Sequence, residues 1–236
     1  MRDSRNANRG LVFAAFGAGL LLALCFPTKI MLFILAIMLV MGLVPGLGFI
    51  PTPFAAIVII QVPVILASYF LGYKGGIIFG AVFGITSIIN CFIQPDAFAA
   101  IILSSKGIMP LILMAVCLLI PRILIGVTTR ACFNLFGNLF KRFDKTKALA
   151  MGISAFVGTL TNTVLFLGAF FLFAREACIE QFALENTKAL LTTMLGVVTF
   201  NGLIEAATSV ILCVAIGQAL YRFYFKKHPM DGSRKL

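Results

Sequence analysis

Tryptophan is absent, histidine occurs once, at position 228 in a charged C-terminal tail, and only eight residues are Asp or Glu. A lone histidine so placed furnishes neither a histidine-based metal site nor a Ser-His-Asp triad, so no metal, cofactor or catalytic residue is expected. The six cysteines (Cys25, Cys91, Cys117, Cys132, Cys178 and Cys213) form no CxxC pair. Five of them fall in apolar segments, where cysteine behaves as a small hydrophobe, so disulfide and zinc readings are weak. No GxxxxGK[ST] phosphate loop occurs, which excludes ATP hydrolysis by this chain alone. The connections are too short to house an enzyme, and there is no repeat or low-complexity tract.

What is abundant is apolar. Of 236 residues, 61% are hydrophobic and 11% charged, with a mean hydropathy of +1.09, values that place the chain in a lipid bilayer rather than in water. The net charge of +11 does not signal nucleic acid, because Lys and Arg stand at segment ends instead of forming a patch. The first 27 residues resemble a secretory signal, but Leu24 is too large for the cleavage box that Cys25 would require, and the apolar run resumes after Lys29.

A bilayer core of about 30 Å needs about 20 apolar helical residues. Spans are expected near 11–43 (interrupted at Pro27), 54–72, 75–93, 108–141 (interrupted at Pro121), 146–174 and 190–225. They are separated by "VPGLGFIPTP", the tight turn "LGYKGG", the charged loop "KRFDKTK" and the polar "REACIEQFALENTK". The N-terminus (Arg2, Arg5, Arg9), Lys74, the loop with Lys141, Arg142, Lys145 and Lys147, and the tail are basic, so all are assigned to the cytoplasm. The expectation is an all-α, six-helix transmembrane bundle in the cell membrane: cytoplasmic residues 1–10, a single membrane domain over 11–225, and a cytoplasmic tail over 226–236. Separate crossings at 11–26 and 29–43 would make seven and turn the N-terminal arginines outward, so one kinked or tilted span is preferred.

Several polar side chains interrupt these spans. Gln61, Asn162 and Thr163, and Asn201 come to a similar depth in the outer half, roughly 10 to 20 Å from the outer ends of their helices at 1.5 Å per residue. Arg122 follows Pro121 near the same layer. Glu205 lies one turn beyond Asn201 on the same face. Polar groups left against lipid cost several kcal/mol each, on the order of a lost hydrogen bond or more, so these residues are expected to share an interior and form a binding pocket. Each also has a structural reading. The threonines of "GTLTNT" can bond to their own backbone, and the asparagines can join neighbouring helices. Glu205 can pair with Arg130 or a backbone amide, Arg122 can reach for the interface, and Gln61 can satisfy carbonyls freed by Pro63. Gly76, Gly80 and Gly84 make a smooth helix face, for packing within the monomer or for docking a second membrane protein; Ala14 and Ala18 do so more weakly.

"GLVPGLGFIPTP", "IIQVPVILASYFLGYKGGIIFGAVFGITSII", "IPRILIG", "GTLTNTVLFLG" and "NGLIEA" together resemble the substrate-binding S components of energy-coupling factor (ECF) vitamin transporters, in the branch with folate and pantothenate binders. The resemblance runs from about residue 29 to 222. It implies six helices, high-affinity capture of a vitamin from outside, and association with a transmembrane coupling (T) protein and two cytoplasmic ATPases. It also implies docking on the coupling protein through small residues of the first helix, a role that Ala14 and Ala18 fit. With no tryptophan for stacking, a small polar acid suits the pocket: Arg122 grips a carboxylate through two parallel bonds, and the amides and hydroxyls meet the rest. Pantothenate fits that chemistry. Two other classes compete, a stand-alone proton-coupled carrier and an intramembrane enzyme, both using Glu205; the second lacks a nucleophile or metal partner.

Overall fold

The computed structural model describes residues 29–44, 46–50, 57–144 and 146–222. The all-helical membrane fold expected from the sequence is borne out, and among the described residues four helices are long and apolar enough to cross a bilayer. The first described helix, α1 (Lys29–Leu43), leads into a short antiparallel hairpin of β1 (Phe49–Ile50) and β2 (Ile57–Val58), with Phe49 opposite Val58 and Ile50 opposite Ile57. Segment 11–28 lies outside the described residues, and with it Ala14, Ala18 and the kink expected at Pro27.

The span expected at 54–72 is corrected here, because helix begins only at Gln61. β-Branched "IVII" favours an extended strand, and Pro63 is tolerated in the first helical turn, where backbone N–H groups have no intrahelical partner. From Gln61 the helix α2 runs to Ile93, broken at Gly72 (φ 71°, ψ −158°), a left-handed conformation that favours glycine. The chain doubles back there. A Cβ added to Gly76 would lie 2.6 Å from the Ser68 hydroxyl, eight residues earlier, whereas eight residues of straight helix span about 12 Å. Limbs 61–71 and 73–93 are therefore two antiparallel passes joined by one residue. Arg130 completes the turn by donating from Nη1 to the carbonyls of Tyr69 (2.8 Å) and Ser68 (3.3 Å), which a terminating helix leaves bare.

A short helix, α3 (Ala97–Ser104), is capped by Asp96, whose carboxylate accepts from the Ala99 amide at 2.8 Å. The next pass, α4 (Met109–Leu139), contains a wide-turn π stretch over Met114–Leu119. The interruption expected at Pro121 takes the form of this π stretch, which ends at Leu119, and the helix continues through the proline. Proline removes the N–H that would bond the Cys117 carbonyl four residues back, and Arg122 supplies the missing donor from Nη1 at 2.6 Å. Asp144 then caps α5 (Ala148–Phe173) by accepting from the amides of Ala148 and Ala150. After α6 (Arg175–Gln181), the last helix α7 (Thr187–Leu220) is capped by Asn186 and carries a second π stretch at Val198–Gly202.

The glycine stripe serves packing inside the monomer. Gly76 meets Gly126, Gly80 meets the Arg122 backbone, and Gly84 meets Leu118 and Leu119, so limb 73–93 and α4 run antiparallel with their backbones in close approach. Two apolar clusters fill the bundle. One gathers Tyr69, Phe83, Phe133 and Met151 toward the Gly72 end; the other gathers Phe98, Phe170, Cys178 and Leu190 toward the end bearing α3 and α6.

Candidate functional site

Between the two clusters lies a cavity of about 70 Å³, room for several water molecules rather than a packing flaw. It is bounded by the hairpin, the end of limb 73–93, α3, α4, α5 and α7, at the end of the bundle opposite the Gly72 turn and the 140–147 loop. Five of the six expected binding residues line it: Arg122, Asn162, Thr163, Asn201 and Glu205. The sixth, Gln61, does not. Its Nε2 donates instead to the Ser209 hydroxyl of α7 at 3.1 Å, a link between helices.

All six are at most 8% exposed, which puts them inside the bundle rather than against lipid. Their local geometry follows from the helices that carry them. On α4, Arg122 bends toward the helix start to reach Cys117, the direction in which helical side chains lean. Its guanidinium lies 5.0 Å from the Phe166 ring centroid and 5.5 Å from that of Phe83, so the cation rests among aromatic faces. Its Nε is buried without a partner, as is Oδ1 of Asn162. Buried polar atoms in this state are uncommon and ask for a ligand or ordered water.

The cluster "GTLTNT" divides its labour. Thr161 bonds back to the Val157 carbonyl at 2.8 Å, and Thr163 bonds back to the Thr159 carbonyl at 3.3 Å while also facing the cavity. Thr159 is buried one turn farther from the cavity mouth, its hydroxyl unpartnered. Glu205 accepts from the backbone amide of Val58 at 2.8 Å, which ties α7 to the hairpin; Arg130, its other expected partner, is engaged at the Gly72 turn. Asn201 lies within the π stretch of α7, and neighbouring Gly202 faces Thr163 of α5.

Sequence reasoning missed one wall. Ser87, Asn90, Gln94 and Asp96 border the cavity from the end of limb 73–93 and the bend after it. The signal was there: four polar residues within ten positions, recurring at helical spacing, at the edge of an apolar span. The hairpin's Phe49 and Val58 and Phe98 of α3 belong to the apolar part of the lining, with Leu118, Phe166 and Val197 among others.

Arg122 and Asn162 present unused hydrogen-bonding capacity of both kinds, donor and acceptor, beside a carboxylate and several amides. Such an arrangement has the chemistry to hold a small polar molecule and orient it. Comparison with known proteins agrees with the motif resemblance. Residues 30–217 match the family described as "ECF transporter, substrate-specific component". The chain is 31% identical over 170 residues to the pantothenic acid transporter PanT of Lactococcus lactis subsp. cremoris (strain MG1363), covering 69% of this chain and 76% of that protein. It is 29% identical over 195 residues to the pantothenate transporter PanT of Leuconostoc mesenteroides subsp. mesenteroides, covering 80% and 88%.

Proposed function

The chain belongs to the substrate-specific components of ECF transporters, and from that membership we propose that it is the membrane-embedded subunit that binds pantothenate for import. The observation that supports this best is the pair of buried, unpartnered atoms on two residues that line the cavity, Arg122 Nε and Asn162 Oδ1, together with two relatives named for pantothenate transport. Pantothenate offers a carboxylate for the guanidinium, and an amide with its neighbouring hydroxyl for Asn162, Thr163, Asn201 and Glu205. Charge-assisted bonds of this kind contribute about 1.5 to 3 kcal/mol each.

In this reading the protein performs no chemistry on its ligand. Residues 11–225 form one membrane domain, both termini face the cytoplasm, and the cavity opens outward, since the basic connections lie at the opposite end. Lacking a phosphate loop, the chain depends on a transmembrane coupling protein and two cytoplasmic ATPases for the energy of transport. Ala14 and Ala18 are the docking residues proposed for the coupling protein.

Native mass spectrometry of the purified protein, followed by titration with pantothenate, tests the reading. Retained pantothenate and tight binding support it; no binding of pantothenate overturns the assignment. Vesicles containing this chain alone that accumulate pantothenate on a proton gradient, and lose that ability when Glu205→Gln is introduced, would replace it with a proton-coupled carrier.

A further inference from the structure

Asn90 lies in the last turn of limb 73–93 and Gln94 is the residue that ends it, its backbone amide donating to the Asn90 carbonyl at 2.8 Å, which sets Gln94 just beyond Asn90 at the cavity rim. Asn90 is half-buried and Gln94 exposed. Their level relative to Arg122 follows from the glycine contacts. Gly84 abuts Leu118 and Leu119 of α4, and the Arg122 guanidinium reaches back to Cys117, so the cation sits near the level of Gly84. At 1.5 Å per residue, Asn90 lies about 9 Å and Gln94 about 15 Å farther toward the mouth.

Pantothenate is an extended molecule whose carboxylate and terminal hydroxyl are eight bonds apart. Peptide chain covers about 3.5 Å for every three bonds, so that separation is about 10 Å, which matches the step from the guanidinium to the Asn90–Gln94 turn. The charges fix the direction. Arg122, the only cation lining the cavity among the described residues, is at the inner level, where the Glu205 carboxylate is already bonded to the Val58 amide, whereas the Asp96 carboxylate that caps α3 borders the rim and disfavours an anion there.

We propose that Asn90 and Gln94 form a specificity subsite that reads the hydroxyl-bearing end of the ligand, which therefore lies with its carboxylate inward at Arg122 and its alcohol end at the mouth. This rests on the pantothenate reading of the cavity, and the test separates the two.

The full-length protein, wild type and carrying Asn90→Ala, Gln94→Ala or Arg122→Ala, is titrated calorimetrically with three ligands. They are pantothenate, panthenol (the carboxylate replaced by a primary alcohol) and pantothenate lacking its terminal hydroxyl. Asn90→Ala or Gln94→Ala is expected to weaken pantothenate and panthenol by the same factor, about three- to tenfold for one neutral hydrogen bond, and to weaken the deoxy compound little. Arg122→Ala is expected to do the reverse, weakening pantothenate while leaving panthenol nearly unchanged. Gln94 is exposed, so its variant keeps the fold and carries the test if Asn90→Ala does not. Wild-type affinities for all three ligands in the Asn90 and Gln94 variants, or an equal loss for the deoxy compound, overturn the subsite while pantothenate binding stands. Wild-type protein that fails to bind pantothenate overturns the functional reading and the subsite together.

Discussion

The two halves of the bundle treat buried polarity in opposite ways. Toward the Gly72 turn, polar groups pair with the protein itself: the Tyr69 hydroxyl donates to the Met151 carbonyl, Ser154 meets Tyr69 and its own helix, and Arg130 closes the helix end. There the helices approach so closely that only glycine fits, as at Gly76 and Gly126. Toward the opposite end the helices loosen into π turns, a hairpin replaces a helix start, and Arg122 and Asn162 keep atoms in reserve. One half is a clamp that holds the passes together, and the other is a receptor. Gln61, Thr129 and Thr159 are exceptions, the Gln61 Oε1 and the two threonine hydroxyls being buried and unpartnered outside the cavity lining.

The largest effect is expected from attacking the clamp. In Gly126→Val, the new side chain meets the Gly76 carbonyl, and overpacking of this kind costs about 3 kcal/mol at the upper end of its usual range. Thermal unfolding in detergent should show a clear drop in midpoint, and a wild-type midpoint would break the distinction between the halves. Next comes Arg122→Ala, expected to weaken pantothenate by about 1.5 to 3 kcal/mol in a calorimetric titration. An unchanged affinity would confine Arg122 to mending the helix at Pro121. Arg130→Gln removes the charged cap from Ser68 and Tyr69, and should lower stability by about 1 kcal/mol with pantothenate affinity unaltered. A loss of affinity there would show the halves to be coupled. The smallest effect belongs to Thr161→Val, since its hydroxyl serves only its own helix; both stability and affinity should stay within about 0.5 kcal/mol of wild type.

The helical membrane fold, the tight turn at "LGYKGG" and most of the cavity lining were legible because the bilayer makes polarity conspicuous: Asn162 or Glu205 has no inconspicuous place in an apolar helix. Helix boundaries were less so. Nothing in "AAIVII" distinguishes a membrane helix from a strand by hydropathy, and only pairing with Phe49 and Ile50 decides it. The continuity of α4 through Pro121 was hidden because it depends on a side chain, Arg122, acting on backbone five residues away. Gln61 was placed in the pocket by depth alone, which leaves out the direction around the helix; its amide turns to Ser209. The wall of Asn90 and Gln94 went unread because polarity at a span's end is what any loop shows.

The bond from Arg122 to Cys117 has one more effect. A long arginine side chain on a helix ordinarily samples many rotamers, and freezing it on contact with a ligand erodes affinity by about 0.5 to 1.5 kcal/mol. Here the carbonyl left bare by Pro121 has already immobilised the guanidinium, between the rings of Phe83 and Phe166. The proline that looks like a defect in the helix thus acts as a mould: it sets the cation in place ahead of binding, so that in the proposed complex a carboxylate would meet a guanidinium already held.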